Sequence, residues 1–183
     1  MRCFFFTVAT AMITTSAQAS FHLWNINEIY TDSSGSLQFI EFFTSSGGQQ
    51  FVGGRQINVA NVGNTITHSF TIPGDLPSDS FNHTFLVGTA GLQAAGGPAP
   101  DYIMANNFLF SGGGTINFFG ANSGTYTALP TDGVNSRTWG DGDAINSPKN
   151  FAGQTGVVPE PSVLALLALA GIGLGLQRRR LSV

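Results

Sequence analysis

Between Ser20 and Asn150, apolar and polar side chains alternate in short runs, and clusters of Gly, Pro, Ser, Asn and Asp separate one run from the next. A period of two puts successive side chains on opposite faces of an extended chain, so these runs predict β-strands. Strands are expected at Leu23–Tyr30, Leu37–Thr44, Arg55–Val59, Asn64–Ile72, Thr84–Val87, Phe108–Phe110, Thr115–Phe119 and Thr125–Leu129. In the first, Trp24, Ile26 and Tyr30 share a face with Glu28. The second is almost continuously apolar, which predicts cover on both of its faces. The fourth separates Ile66, His68 and Phe70 from Thr65, Thr67, Ser69 and Thr71. Gly88–Asp101, with Gly96, Gly97, Pro98 and Pro100, reads as a long loop, and the glycine-rich stretch up to Asn150 as irregular. The expected fold class is all-β, a single immunoglobulin-like β-sandwich.

Two apolar runs interrupt the alternation, one near each end. At the front, Arg2 precedes the apolar run Phe4–Ile13 and the small-residue pattern Ala17-Gln18-Ala19. These are the parts of a secretory signal, with cleavage expected after Ala19. At the back, Pro159-Glu160-Pro161 is followed by the uncharged run Val163–Leu176 and by Arg178-Arg179-Arg180. As a helix that run reaches roughly 21 Å at ~1.5 Å per residue. A bilayer core is about 30 Å thick, so the helix is short for a permanent anchor, although local thinning closes such gaps at modest cost. Arginines at the end hold that end in the cytoplasm and leave the body outside.

The ordered set of Pro159-Glu160-Pro161, a short apolar helix and a terminal arginine cluster closely resembles the PEP-CTERM sorting signal. The resemblance implies a bacterial surface or matrix protein processed by the membrane enzyme exosortase. It makes Pro159, Glu160 and Pro161 the recognition element, residues 163–176 the transmembrane helix, and Arg178, Arg179 and Arg180 the stop. The expected layout is a signal peptide at 1–19, a sandwich at 20–150, and a linker plus sorting signal at 151–183.

Composition narrows the classes of partner. Charged residues are 9% of the chain, against ~25% in ordinary soluble domains. Outside the two ends only Arg55, Arg137 and Lys149 are basic, against nine acids. No basic patch remains to neutralise phosphates, so no nucleic-acid partner is expected. The single cysteine, Cys3, lies in the signal, so the exported chain has no disulfide and no thiolate chemistry.

A second resemblance concerns the body. Ile26-Asn27-Glu28-Ile29, Phe39-Ile40-Glu41-Phe42, the Gly54-Arg55-Gln56-Ile57 step, Phe70 with Pro73-Gly74, and Gly113–Phe118 follow the order seen in lamin-tail domains. These are immunoglobulin-like sandwiches, and the resemblance implies binding or scaffolding with no reaction chemistry. Arg55 stands where that family usually has an aromatic.

Candidate chemistry is sparse. His22, His68 and His83 form no metal-ligand spacing, and His68, on an apolar strand face, reads as a structural histidine. No Gly-x-Ser-x-Gly elbow accompanies the many serines. Glu28 and Glu41 lie in strands that could be neighbours, and a carboxylate pair is what glycoside hydrolysis needs. The competing reading is that each accepts backbone or hydroxyl hydrogen bonds at a sheet edge. Asp141-Gly142-Asp143, with Asn146, offers oxygen ligands for calcium, but no glutamate completes the EF-hand register. The expectation is therefore no catalytic residue, no cofactor and no metal. The expected role is structural or adhesive, in an extracellular matrix, with exosortase and the inner membrane as sorting partners and polysaccharide as ligand. The alternatives are a secreted glycan hydrolase using Glu28 and Glu41, and a calcium-dependent module using Asp141 and Asp143.

Overall fold

The computed structural model describes residues 21–140 and 142–158. The signal peptide with Ala17 and Ala19, the sorting residues 159–161, the apolar run 163–176, the arginines 178–180 and Asp141 all lie outside the described residues. Among the described residues no helix is long and apolar enough to cross a membrane.

Among the described residues, ten strands form two sheets. They are β1 (Asn25–Thr31), β2 (Gln38–Thr44), β3 (Gln56–Asn61), β4 (Thr67–Thr71) and β5 (His83–Thr89), followed by β6 (Tyr102–Met104), β7 (Gly114–Phe118), β8 (Asn122–Tyr126), β9 (Asn135–Thr138) and β10 (Gly142–Ile145). One sheet runs β10-β9-β1-β2-β5-β6 and the other β4-β3-β7-β8. All pairings are antiparallel except β5 with β6. The sheets meet through a core in which Phe42 and Phe85 of one stack against each other and touch Phe118 of the other, ring centroids 4.7 to 6.0 Å apart. The all-β sandwich expected from the alternation is the fold found.

β1 departs from a strict period of two. Ile26 pairs with Phe42 but Glu28 pairs with Glu41, so two steps on β1 oppose one on β2 at a bulge around Asn27. Past the bulge the faces exchange. Trp24, Ile26 and Ile29 enter the inter-sheet core, whereas Tyr30 joins a separate cluster on the outer face of the six-stranded sheet. Glu28 and Tyr30 therefore do not share the face of Trp24 and Ile26, because one inserted residue inverts everything after it.

The second cluster, Tyr30, Phe39, Leu86, Leu92, Ala95 and Val158, bears out the double cover expected for β2. Leu92 and Ala95 come from the predicted long loop, and Val158 from a C-terminal strap described below.

Other expectations are corrected. Phe108–Phe110 is not a strand; its backbone is satisfied instead by side chains. Gln38 donates to the Leu109 carbonyl (2.9 Å) and accepts from its N–H (3.0 Å), and the Tyr126 hydroxyl accepts from Phe110 N–H (3.2 Å). The expected strand at Thr125–Leu129 lies earlier, at Asn122–Tyr126. β6 lies just past the expected loop, in a stretch assigned no element, and β9 and β10 arise in the stretch read as irregular.

Candidate functional site

Glu28 and Glu41 face each other across the β1–β2 ladder, in the middle of the six-stranded sheet and not at its edge. They are 4% and 3% exposed. Glu28 Oε1 accepts from Ser136 Oγ (2.5 Å) and Ser147 N–H (2.9 Å), and Oε2 from Ser147 Oγ (3.1 Å). Glu41 Oε1 accepts from Asn27 Nδ2 (2.6 Å) and Oε2 from Lys149 N–H (2.6 Å). Burial outweighs these bonds and pushes the Glu41 carboxyl up to about 7.

Both carboxylates thus clamp one strap of chain, residues 146–158, onto the outer face of the sheet. Further fastenings repeat the device. Asn146 donates to the carbonyls of Val134 (2.7 Å) and Val158 (3.0 Å) and accepts from Val158 N–H (2.7 Å). Asp101 Oδ2 accepts from Leu86 N–H of β5 (2.8 Å) and from Phe151 N–H of the strap (2.9 Å), and burial raises its carboxyl above the usual range. Phe151 and Val158 are buried, so the folded body runs past Asn150 to Val158.

The remaining sequence candidates are scattered. His68 lies against the Phe110 ring (4.7 Å) with Nδ1 at 2.9 Å from the Phe108 carbonyl, the packed position expected of a structural histidine. His22 and His83 bond through Nδ1 to the carbonyls of Gly120 and Phe81. Asp143 pairs with Arg137, whose guanidinium also donates to Thr127 Oγ1 (2.7 Å) and the Ala128 carbonyl (3.1 Å). Among the described residues no group of three His, Cys, Asp or Glu is placed to hold a metal. Arg55 lays its guanidinium 4.1 Å over the Phe21 ring.

Sequence reasoning marked Thr-, Ser- and Asn-rich strand faces, that of β4 among them, but did not assemble them into the outer face of the four-stranded sheet. Register places Ser69, Asn58, Asn117 and Ser123 in one row across all four strands. Thr67, Ala60, Thr115 and Thr125 form the next row. Thr71 and Gln56 begin a third, on the side of the sheet where Phe119, 66% exposed, follows β7. None of these side chains is charged. Ser69 Oγ donates to Asn58 Oδ1 (2.6 Å), which ties two positions of the first row together. Strand spacing of ~4.8 Å and ~6.8 Å between alternate residues turn the rows into a grid of hydroxyls and amides, interrupted at the buried Ala60. The signal was present in the sequence as the alternate Thr and Ser of β4, but only register aligns it with Asn58 and Asn117.

No curated protein and no solved structure matches the chain. Residues 157–180 match the family model of the PEP-CTERM protein-sorting motif, so the motif begins within the folded strap, at Val157 and the buried Val158. The chain carries a PEP-CTERM protein-sorting motif, which marks it for export, transient anchoring in the membrane and exosortase sorting to the cell surface.

Proposed function

We propose that the sorted body is a non-catalytic, adhesive module that binds extracellular polysaccharide through the outer face of the four-stranded sheet. The carrying observation is the charge-free grid of Ser, Thr and Asn. A hydroxyl-rich polymer offers donors and acceptors at regular intervals and no charge, and the grid does the same. One exposed hydrogen bond nets only about 0.5–1.5 kcal/mol. A flat array therefore suits a long repetitive ligand, which engages many positions at once, better than a small molecule. The sandwich, and the fall of the lamin-tail-like segments on β1, β2, β3, β4 and β7, support a scaffold of that kind. The burial of Glu28 and Glu41 under the strap favours this reading over a hydrolase.

The test is retention of the exported chain on insoluble polysaccharide from its host. Binding by hydrogen bonds persists in roughly 1 M salt, where electrostatic capture is screened. Replacing the first row together (Ser69→Ala, Asn58→Ala, Asn117→Ala and Ser123→Ala) abolishes retention while the fold is kept. Undiminished retention by that variant would falsify the assignment of the face.

A further inference from the structure

Where β8 of one sheet runs beside β9 and β10 of the other, the sandwich is not closed. The gap is a cleft of about 390 Å³, lined by Thr125, Tyr126, Thr127, Arg137 and Trp139 and by three glycines. Trp139 sits two residues beyond Arg137, so both point to the same side of the chain. Its backbone N–H donates to the Asn27 carbonyl (2.8 Å), and its half-buried ring lies against Gly124, where an added Cβ would come within 2.5 Å of the indole. Among the described residues the indole N–H has no acceptor. Gly140 and Gly142 add no side chain of their own to the lining; both have positive φ (94° and 92°), which only glycine adopts readily.

We infer that this cleft is a subsite for one neutral pyranose unit, with Trp139 as its platform; the inference rests on the polysaccharide reading above and locates its anchor point. Three features select that occupant. An indole presents an electron-rich face to the C–H-bearing side of a sugar ring, and its free N–H adds a directional donor. Thr125 and Thr127 supply hydroxyls around the platform, as small-ligand sites do with a few convergent polar groups. Arg137, the cation in the lining, is already paired with Asp143 and bonded to Thr127 and Ala128, so no unpaired positive charge remains to select a uronate or sulfate. Thr125 also belongs to the second row of the polar face, which ends at β8. A polymer laid along that row from β4 crosses roughly 14 Å of sheet and arrives at the cleft.

The chain has two tryptophans, and the other is silent to solvent. Trp24 is fully buried, with its N–H bonded to the Gln49 carbonyl at 2.8 Å. Tryptophan emission that iodide quenches, or that a ligand changes, therefore reports Trp139. Titrating the full-length chain in detergent with a neutral β-glucan hexasaccharide should shift this emission and shield it from iodide, while an oligogalacturonate of equal length should not. Trp139→Phe should weaken binding about tenfold, with Trp24 emission unchanged as the check on folding. The first-row alanine variant should lose the polymer but keep the hexasaccharide response. Polymer retention with no response at Trp139, or a response equal for the acidic sugar, overturns the subsite and leaves the polar face standing. No retention of any polymer, together with a normal Trp139 response, overturns the face and leaves the subsite.

Discussion

On the six-stranded sheet the outer face carries Tyr30, Phe39 and Leu86, all fully buried, with Glu28 and Glu41 beside them under the strap. On the four-stranded sheet the corresponding positions carry Ser69, Asn117 and Ser123, open to solvent. Both sheets share one core, so the contrast is not about folding into a sandwich. Apolar rings and desolvated carboxyls are tolerable only with a cover, and the chain supplies one from Leu92 and Ala95 over the rings and from the strap over the carboxyls. Hydroxyls and amides need none, because water satisfies them until a ligand does.

The comparison breaks most visibly on the covered side. Phe39→Ala removes a ring stacked 5.3 Å from Tyr30 in that cluster, and should cost about 3–5 kcal/mol in chemical denaturation. An effect under about 1 kcal/mol would mean that this face is not sealed by Leu92, Ala95 and Val158.

The second test uses pH. Glu41 titrates near 7 in the folded chain and near 4.5 when unfolded. Between those values the folded state keeps the proton that the unfolded state has released. Stability contributed by this group is thus full below about pH 4.5 and falls as pH rises through 7, by roughly 3 kcal/mol in all. Glu41→Gln should flatten that part of the stability-versus-pH curve, and a curve unchanged by the substitution would refute the cause.

Smaller is the effect of Glu28→Ala, which strands the Ser147 N–H and hydroxyl and leaves Ser136 Oγ only the Ala144 carbonyl. About 2 kcal/mol is expected, along with faster proteolysis within residues 146–158. Smallest is Asn117→Ala on the open face. It should leave stability within about 0.5 kcal/mol and weaken polysaccharide retention, so that a large loss of stability would erase the distinction between the two faces.

How much of this was legible follows from where the information resides. The sorting signal, the strands β1 to β5 and β7, and the double cover of β2 could be read along the chain, because composition and period are local properties. β9 and β10, Asn-Ser-Arg-Thr and Gly-Asp-Ala-Ile, carry no apolar alternation; they extend the sheet through backbone bonds, β9 to β1 and β10 to β9, which leave no mark on side-chain type. Phe108–Phe110 carries the apolar mark but finds Gln38, Tyr126 and His68 as partners instead of a neighbouring strand. Glu28 and Glu41 could be named as a pair from the sequence, yet whether they face a groove or a strap depends on a bulge and on residues more than a hundred positions away. The alternation by itself determined that this chain forms a sandwich, and the ordered motif at its end that the sandwich bears a sorting tail. Which outer face is sealed and which is left for a ligand was decided by register and by the strap's path, since both depend on contacts between segments distant in sequence.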